Sequence, residues 1–305
     1  MSFAIKLQQV TKKFNDFVAV DQLNLSIQQG DIYGFLGPNG SGKSTTLRMI
    51  MGLIQPTSGE ITLFDKSLSE HRKEIMRKVG CIIEKPDFYT YLTAHENLKL
   101  FARAHQLKYS HAQYQDLYQL VGLSGREHGK VKTFSHGMKQ RLGLAQALLH
   151  SPEMIILDEP NTGLDPQGII DLRKLILKLN AERNMTVLFS SHILSEVQEI
   201  CNSMIVINKG KTIAQGNVSE LISTESLHVN VEVVDMEKAV AFVKQSRWKD
   251  KMPMETSKNA HVIAFQMSKQ EIPLLAQQLA ENNIAILRID YRNQLEEYFL
   301  KITNS

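Results

Sequence analysis

The sequence predicts an α/β fold for residues 1–220, with a core sheet flanked by helices, and a small α+β domain for residues 221–305. Ile32–Leu36 forms an apolar run that leads through a glycine-rich turn into a helical pattern. Two further short apolar runs, Met154–Leu157 and Val187–Ser190, are typical of parallel strands buried on both faces. Together these runs indicate a sheet whose strands are joined through helices.

The remaining elements of the first domain follow from periodicity. Ile5–Leu7 and Leu23–Ile27 alternate polar and apolar residues, as half-buried strands do, and Ile61–Phe64 is a further strand. The pattern from about Thr93 to Leu149 is almost entirely helical, which predicts a helical insertion at about residues 85–150. We expect Met204–Ile207 to be the last strand of this domain.

The second domain begins after a polar stretch at Ser219–Ser226, where the character of the sequence changes. It holds no motif with recognisable chemistry. Its expected strands are Val229–Val233, Val262–Phe265 and Ile284–Leu287. Its expected helices are Pro273–Asn282 and Gln294–Ile302.

Composition excludes several classes of protein. The chain has 305 residues, 43% of them hydrophobic, and a net charge of +3, which is too small to predict nucleic-acid binding. No apolar run approaches the length of about 18 residues that spans a bilayer. Cys81 and Cys201 lie far apart and the first residues carry no signal-peptide pattern, so we expect a cytoplasmic protein with reduced thiols.

Gly37–Ser44 fits the pattern G-x-x-x-x-G-K-[ST] of a phosphate-binding loop. Glycines let backbone N–H groups approach phosphate oxygens, and the following helix adds its positive dipole end. Lys43 is expected to reach the β- and γ-phosphates of a nucleotide, and the Ser44 hydroxyl to bind Mg²⁺. The nucleotide-contacting candidates in this stretch are Gly37, Pro38, Asn39, Gly40, Ser41, Gly42, Lys43, Ser44 and Thr45.

Two more segments complete the predicted site. Asp158 and Glu159 follow the apolar run Met154–Leu157, which places Asp158 beside Mg²⁺ and Glu159 where it can polarise water. His192 follows another core strand and could hold the water and Glu159 in line. The alternatives are two solvated carboxylates and a purely structural histidine.

Thr133–Arg141 opens a helix, with Ser135 as the expected N-cap. Taken alone, this segment indicates only a capped amphipathic helix. Together with the preceding motifs it resembles the ATP-binding cassette ATPases, in which Ser135, His136 and Gly137 correspond to the signature motif. The other corresponding residues are Leu157–Pro160 as the acidic strand, Asn161–Asp165 as the D-loop, His192 as the switch histidine and Phe14 as the aromatic that stacks on adenine.

The resemblance covers residues ~3 to 220 and implies a mixed core sheet, an antiparallel β subdomain and a helical insertion. It also implies that two cassettes, here two copies of the chain, close over two ATP molecules. Each ATP would lie between one phosphate loop and the partner's signature helix. Closure and reopening of the dimer would drive transport by multi-span membrane subunits. The chain would then be peripheral on the inner face of the membrane.

Three residues depart from the usual pattern of the family: His136 within the signature, Phe14 in place of tyrosine, and Glu84 in place of glutamine. Glu84 would approach Mg²⁺ and the water, so we treat it as a metal-binding and catalytic candidate. His136 is expected to face the partner's γ-phosphate, or else solvent at the rim. Glu84 and the C-terminal domain resemble the bacitracin and lantibiotic type of export and immunity ATPases.

The sequence therefore predicts the ATPase subunit of a bacterial exporter for peptide antibiotics or other drugs. One alternative is a soluble ATPase that acts on ribosomes or DNA, although such relatives usually fuse two cassettes or insert a long coiled coil. A second alternative is a nucleotide-binding scaffold without turnover, against which Lys43, Asp158, Glu159 and His192 argue.

Overall fold

A computed structural model describes residues 2–84, 86–222, 227–252, 261–293, 295–297 and 299. The chain divides into two compact units, Met1–Val218 and Ser219–Ser305. Each unit has a hydrophobic core of its own. Among the described residues, no helix combines the length and hydropathy that crossing a bilayer requires.

The first unit contains ten strands and seven helices in the part that the structure describes. The strands are β1 (Phe3–Phe14), β2 (Phe17–Gln28), β3 (Ile32–Leu36), β4 (Ser58–Leu63), β5 (Lys66–Ser67), β6 (Val79–Ile82), β7 (Met154–Leu157), β8 (Thr186–Ser191), β9 (Ser203–Asn208) and β10 (Lys211–Asn217). The helices are α1 (Lys43–Ile50), α2 (Leu68–Met76), α3 (Ala94–Ala104), α4 (His111–Val121), α5 (His136–Leu148), α6 (Pro166–Arg183) and α7 (Leu194–Ile200). A short helix, α8 (Val218–Leu221), follows β10.

The first sheet is antiparallel and has the strand order β2-β1-β4-β5. Ile5 pairs with Ile27 and Leu7 with Leu25, and all four side chains are buried on the same face. Alternation of this kind buries one face of a sheet and leaves the other polar. The strands predicted at Ile5–Leu7, Leu23–Ile27 and Ile61–Phe64 are confirmed, although β4 ends one residue earlier.

The second sheet has the order β10-β9-β3-β8-β7-β6, in which only β10 is antiparallel to its neighbour. Every residue of β3, β7 and β8 is buried, as expected for strands covered on both faces. Because these strands run in parallel, the segments that follow them meet at one edge of the sheet. This edge carries the phosphate loop, the acidic pair and His192.

Two features of this sheet differ from the sequence-based expectation. The expectation that Met204–Ile207 is the last strand of the domain is wrong, because β10 follows it. Most residues of β10 are exposed or half-buried, since it is an edge strand, and it therefore lacks an apolar signal. The four-residue strand β6 was not predicted either, because Gly80 and the exposed Cys81 interrupt its pattern.

The helical insertion is confirmed as α3, α4 and α5. A capping box begins α3, in which Thr93 accepts from the Glu96 N–H while the Glu96 carboxylate accepts from the Thr93 N–H. Ser110 and Gln113 form the same arrangement at the start of α4. These local signals determine where the two helices begin.

The second unit contains an antiparallel sheet of order β12-β11-β13 with helices packed on it. Trp248 is fully buried in its core and donates its indole N–H to Gln278 Oε1 at 2.8 Å. Its elements are β11 (Leu227–Val233), α9 (Met236–Gln245), β12 (Val262–Met267), α10 (Ile272–Glu281) and β13 (Ile286–Asn293).

The strand predicted at Ile284–Leu287 begins two residues later, at Ile286, and continues to Asn293. Asn283 has a left-handed backbone conformation (φ 54°) that ends α10, and Ile284 is then buried in the core before the strand starts. The helix predicted at Gln294–Ile302 lies largely outside the described residues, of which 295–297 and 299 are helical.

Candidate nucleotide site

The loop Gly37–Ser44 connects β3 to α1, and its shape requires glycine at two positions. A Cβ on Gly37 would lie 2.5 Å from the carbonyl oxygen of Ile207. Gly42 has φ +108°, and a Cβ there would lie 2.6 Å from the carbonyl oxygen of Ala19. The loop therefore packs its backbone against neighbouring backbone, with Asn39 and Gly40 exposed at the tip.

Lys43 is the first residue of α1, and its side chain is only 5% exposed. Its ammonium donates to the carbonyl oxygens of Gly37 (2.7 Å) and Pro38 (3.1 Å) and lies 3.1 Å from Glu159 Oε1. The Ser41 hydroxyl is buried and has no hydrogen-bond partner among the described residues. No side chain caps the start of α1. The loop thus presents a cation, an unpartnered hydroxyl and uncapped helix N–H groups, which suits phosphate binding.

Asp158 and Glu159 follow β7 and are held by a serine from the neighbouring strand. Ser190 of β8 donates its hydroxyl to Asp158 Oδ1 at 2.6 Å and accepts the backbone N–H of Glu159 at 2.9 Å. Asp158 is buried, and Glu159 has a left-handed backbone conformation with φ 45°. The serine therefore fixes both carboxylates relative to the core sheet.

Glu159 lies between two cationic or titratable partners. Its Oε1 contacts Lys43, and its Oε2 lies 3.1 Å from Nδ1 of His192. The Glu159 side chain is 27% exposed and that of His192 is 41% exposed, so both are accessible from solvent. The structure thus brings together Lys43, Glu159 and His192 from three different elements. A carboxylate held by a histidine and a lysine beside a phosphate loop can act as a general base.

Glu84 occupies a different environment. It follows β6 with a left-handed backbone conformation (φ 65°), its side chain is 62% exposed, and it forms an ion pair with Arg48 of α1. Within the described part of the chain, its carboxylate contacts neither Asp158 nor Glu159. Its proposed contact with Mg²⁺ stays a prediction, and Arg48 is a partner that sequence reasoning missed.

The signature segment has the local structure that its sequence predicts. Ser135 is the N-cap of α5 and accepts the N–H of Met138 at 3.2 Å. A Cβ on Gly163 would lie 3.1 Å from Cε1 and Nδ1 of His136, so the imidazole packs against the turn that contains Gly163. Leu164 of the same turn packs beside Gly137. The contact of Ser135, His136 and Gly137 with a nucleotide stays a prediction.

Phe14 ends β1 with 46% of its surface exposed, and the Lys12 ammonium lies 5.0 Å from its ring centroid. The exposed ring is available for stacking on a base, and its contact with adenine stays a prediction. Ser190 is a residue whose role the sequence did not reveal. Its position at the carboxyl end of a core strand was the available signal.

The donor set fits Mg²⁺ together with a nucleotide. No cluster of three histidine, cysteine or acidic side chains in the described residues could hold a metal by itself. Mg²⁺ is commonly bound through one or two protein oxygens, with phosphates and water completing its shell. Ser44 on α1 and Asp158 after β7 supply hard oxygen ligands of this kind, and Asp158 is held in place by Ser190.

The fold and this site define a phosphate-loop ATPase, and comparison with known proteins places it in a family. Residues 20–162 match the sequence model of a family described as ABC transporter. The bacitracin transport ATP-binding protein BcrA of Bacillus licheniformis is 41% identical over 99% of this chain and 98% of its own length. The chain belongs to the ATP-binding proteins of ABC transporters and is an ABC ATPase.

Other relatives support the same family and fold. The linearmycin resistance ATP-binding protein LnrL of Bacillus subtilis is 32% identical over 98% of both chains. The lantibiotic transport ATP-binding protein SrtF of Streptococcus pyogenes is 38% identical over 73% of this chain and 97% of its own. Among solved structures, a dimeric post-hydrolysis state of the cassette MJ0796 bound to ADP and Pi is 27% identical, with a TM-score of 0.63 over 70% of this chain and 98% of that one. The predicted fold and family are thereby confirmed.

Proposed function

We propose that this chain is the ATP-hydrolysing subunit of an exporter that removes peptide antibiotics from a bacterial cell. The observation that carries this proposal is similarity to a bacitracin transport protein along 99% of the chain, which includes the C-terminal unit as well as the cassette. The lantibiotic relative is named for transport of an antibiotic, and the linearmycin relative for resistance to one. The chain would act on separately encoded membrane subunits from the cytoplasmic face of the membrane.

The geometry supports assigned roles for four residues in hydrolysis. Lys43 binds the β- and γ-phosphates, because its ammonium is the buried cation at the base of the loop. Glu159 accepts a proton from the attacking water, and His192 holds the Glu159 carboxylate through Oε2. Ser190 positions Glu159 through the backbone N–H. Mg²⁺, when bound through Ser44 and Asp158, neutralises negative charge on the phosphates.

Dimer closure supplies the remaining contacts in this proposal. ABC cassettes dimerise, and one structural relative of this chain is a dimer with ADP and Pi. Ser135, His136 and Gly137 of one copy would contact the γ-phosphate held by the loop of the other copy. Phe14 would stack on the adenine, and Glu84 would approach Mg²⁺ as its contact with Arg48 changes. A homodimer is the simplest assembly, because one chain carries every motif.

The test is a resistance assay in a sensitive bacterial host. The chain is expressed with the membrane proteins encoded beside it, and inhibitory concentrations of bacitracin and of a lantibiotic are measured. Wild type should raise resistance to at least one peptide, whereas the Glu159→Gln variant should not. Unchanged resistance from a complex that hydrolyses ATP would refute the substrate class. ATP hydrolysis stimulated by ribosomes or DNA, but not by the membrane subunits, would favour the soluble alternative.

A further inference from the structure

The helical insertion contains an open cavity of about 670 Å³ that plays no part in the nucleotide site. One exposed face of α3 forms one side of it, and the connection from α3 to α4 forms the other. The side chains relevant to its chemistry are His95, Lys99, Arg103, Lys108, His111 and Tyr114.

The charged side chains that line the cavity, Lys99, Arg103 and Lys108, are all cationic. His95, Lys99 and Arg103 lie four residues apart and therefore project from the same face of α3. Lys108 and His111 approach from the connection and the first turn of α4. Among the described residues, no carboxylate lines the cavity, and Lys99, Arg103 and Lys108 form no ion pair. Lys99 and Arg103 are like charges four residues apart, which destabilise a helix slightly, so this pair does not serve the stability of α3.

The rings of His95, Tyr109 and Tyr114 also line the cavity and pack against one another. The rings of His95 and Tyr114 meet edge to face with centroids 4.8 Å apart, and Tyr109 meets Tyr114 in the same way at 5.1 Å. His95 Nδ1 is hydrogen-bonded to the buried Tyr118 hydroxyl at 3.2 Å. The Tyr109 hydroxyl donates to the carbonyl oxygen of Leu149. These contacts tie the rings of His95, Tyr109 and Tyr114 to one another and to buried groups of the helical insertion.

The electrostatics of His95 agree with an anion site. Burial lowers the pKa of His95, and the neighbouring Lys99, His128 and His111 lower it further, while only Glu96 raises it. Glu96 is engaged at the start of α3, where its carboxylate accepts from Thr93. Burial is thus the main cause of the lowered pKa, and the cationic neighbours that add to it would also attract an anion.

We propose that this cavity is a binding site for a phosphate-bearing anion, distinct from the ATP held at Lys43. Arg103 offers a planar guanidinium that can bind phosphate through two N–H groups, and Lys99 and Lys108 add ammonium donors. A phosphate group of this kind can come from a soluble compound or from the head group of an anionic lipid. Both sources share the chemistry that the cavity recognises.

The test uses the full chain with two probes, inorganic pyrophosphate and vesicles. Pyrophosphate binding is measured by titration calorimetry in a Lys43→Ala background, so that the phosphate loop does not compete. Sedimentation with phosphatidylcholine vesicles is compared with and without phosphatidic acid. The double substitution Lys99→Gln and Arg103→Gln removes two charges from the cavity. Lys174→Gln and Lys178→Gln, an exposed pair with the same spacing on α6, form the matched control.

The cavity variant should lose about tenfold in affinity for one of the two probes, and the control pair should lose little. Loss for pyrophosphate identifies a soluble ligand, and loss only for vesicles with phosphatidic acid identifies a lipid head group. Equal losses in both pairs would overturn the proposal in favour of diffuse surface charge, and so would the absence of binding of either probe to the chain with an intact cavity. With Lys43 restored, both pairs should hydrolyse ATP like wild type and unfold at the same temperature.

Discussion

Glu159 and Glu84 occupy equivalent places in the loops that follow two neighbouring strands, yet their surroundings differ sharply. Ile82 of β6 pairs with Leu157 of β7, and each glutamate comes two residues after its member of that pair. Both have left-handed backbone conformations, with φ 45° for Glu159 and 65° for Glu84. Each contacts a cation of α1, Lys43 in one case and Arg48 in the other.

The two carboxylates and their cationic partners differ in how much of each side chain is exposed to solvent. The Lys43 and Glu159 side chains are 5% and 27% exposed, whereas those of Arg48 and Glu84 are 42% and 62% exposed. Water screens the second pair, so its interaction free energy should be within about 0–1 kcal/mol. Water screens the Lys43–Glu159 pair less, and Glu159 also contacts Ser190 and His192. The same residue type at matching positions thus forms a largely buried ion pair in one loop and an exposed one in the next.

Glu159→Gln should have the largest effect. Loss of the general base should slow ATP hydrolysis by roughly 10²–10⁴, while nucleotide binding persists because Lys43 and the loop are intact. Phosphate release under saturating Mg²⁺-ATP measures the change. Glu84→Gln is the matched control at the equivalent position of β6 and should stay within about tenfold of wild type. Near-wild-type turnover in Glu159→Gln would assign the base to another group.

Lys43→Ala should weaken ATP binding by about 2–5 kcal/mol, because a buried phosphate loses its nearest cation. Binding of a fluorescent ATP analogue by the isolated chain provides the measurement. Arg48→Ala removes an exposed cation from the same helix, five residues later, and should leave affinity nearly unchanged. Equal losses in the two variants would mean that the overall charge of α1, rather than the buried ammonium, attracts the nucleotide.

Ser190→Ala tests whether the contacts of this serine with Asp158 and Glu159 affect the rate of ATP hydrolysis. The variant removes the hydroxyl that joins Asp158 to the Glu159 N–H, so we expect kcat to fall about tenfold, near 1.4 kcal/mol in barrier. Ser203→Ala deletes a hydroxyl from β9, where it contacts Asn217 at an exposed position, and should not affect kcat. If the two serine variants have the same turnover, the positioning role of Ser190 is wrong.

The smallest expected effect concerns the surface pair. A double-mutant cycle with Arg48→Gln and Glu84→Gln should give a coupling of about 0.2–1 kcal/mol in the free energy of unfolding. Urea titrations of the four proteins supply the values, and added salt should reduce the coupling further. A coupling well above this range would show that the exposed pair is as strongly held as the Lys43–Glu159 pair.

The sequence by itself determined the fold class and the family, and it predicted the principal site residues. Glycine spacing, apolar strands that end in Asp158 and His192, and the cap at Ser135 are local patterns, and each has a local physical cause. The helical periodicity from about Thr93 to Leu149 predicted the insertion that α3, α4 and α5 form. Elements without a local signal were missed, such as the edge strand β10, because edge residues face solvent and need not be apolar.

Only the tertiary structure decided which of those residues meet. Lys43, Glu159 and His192 lie far apart in the sequence and converge because β3, β7 and β8 are parallel neighbours. Ser190 contacts the Glu159 N–H because β8 lies beside β7 in the sheet. Arg48 forms an ion pair with Glu84 because α1 packs near the loop after β6, which no local pattern encodes. The cationic cavity likewise depends on how the α3–α4 connection returns beside α3. Long-range pairing and burial, which set the strength of each charge contact, emerge only when the chain is folded.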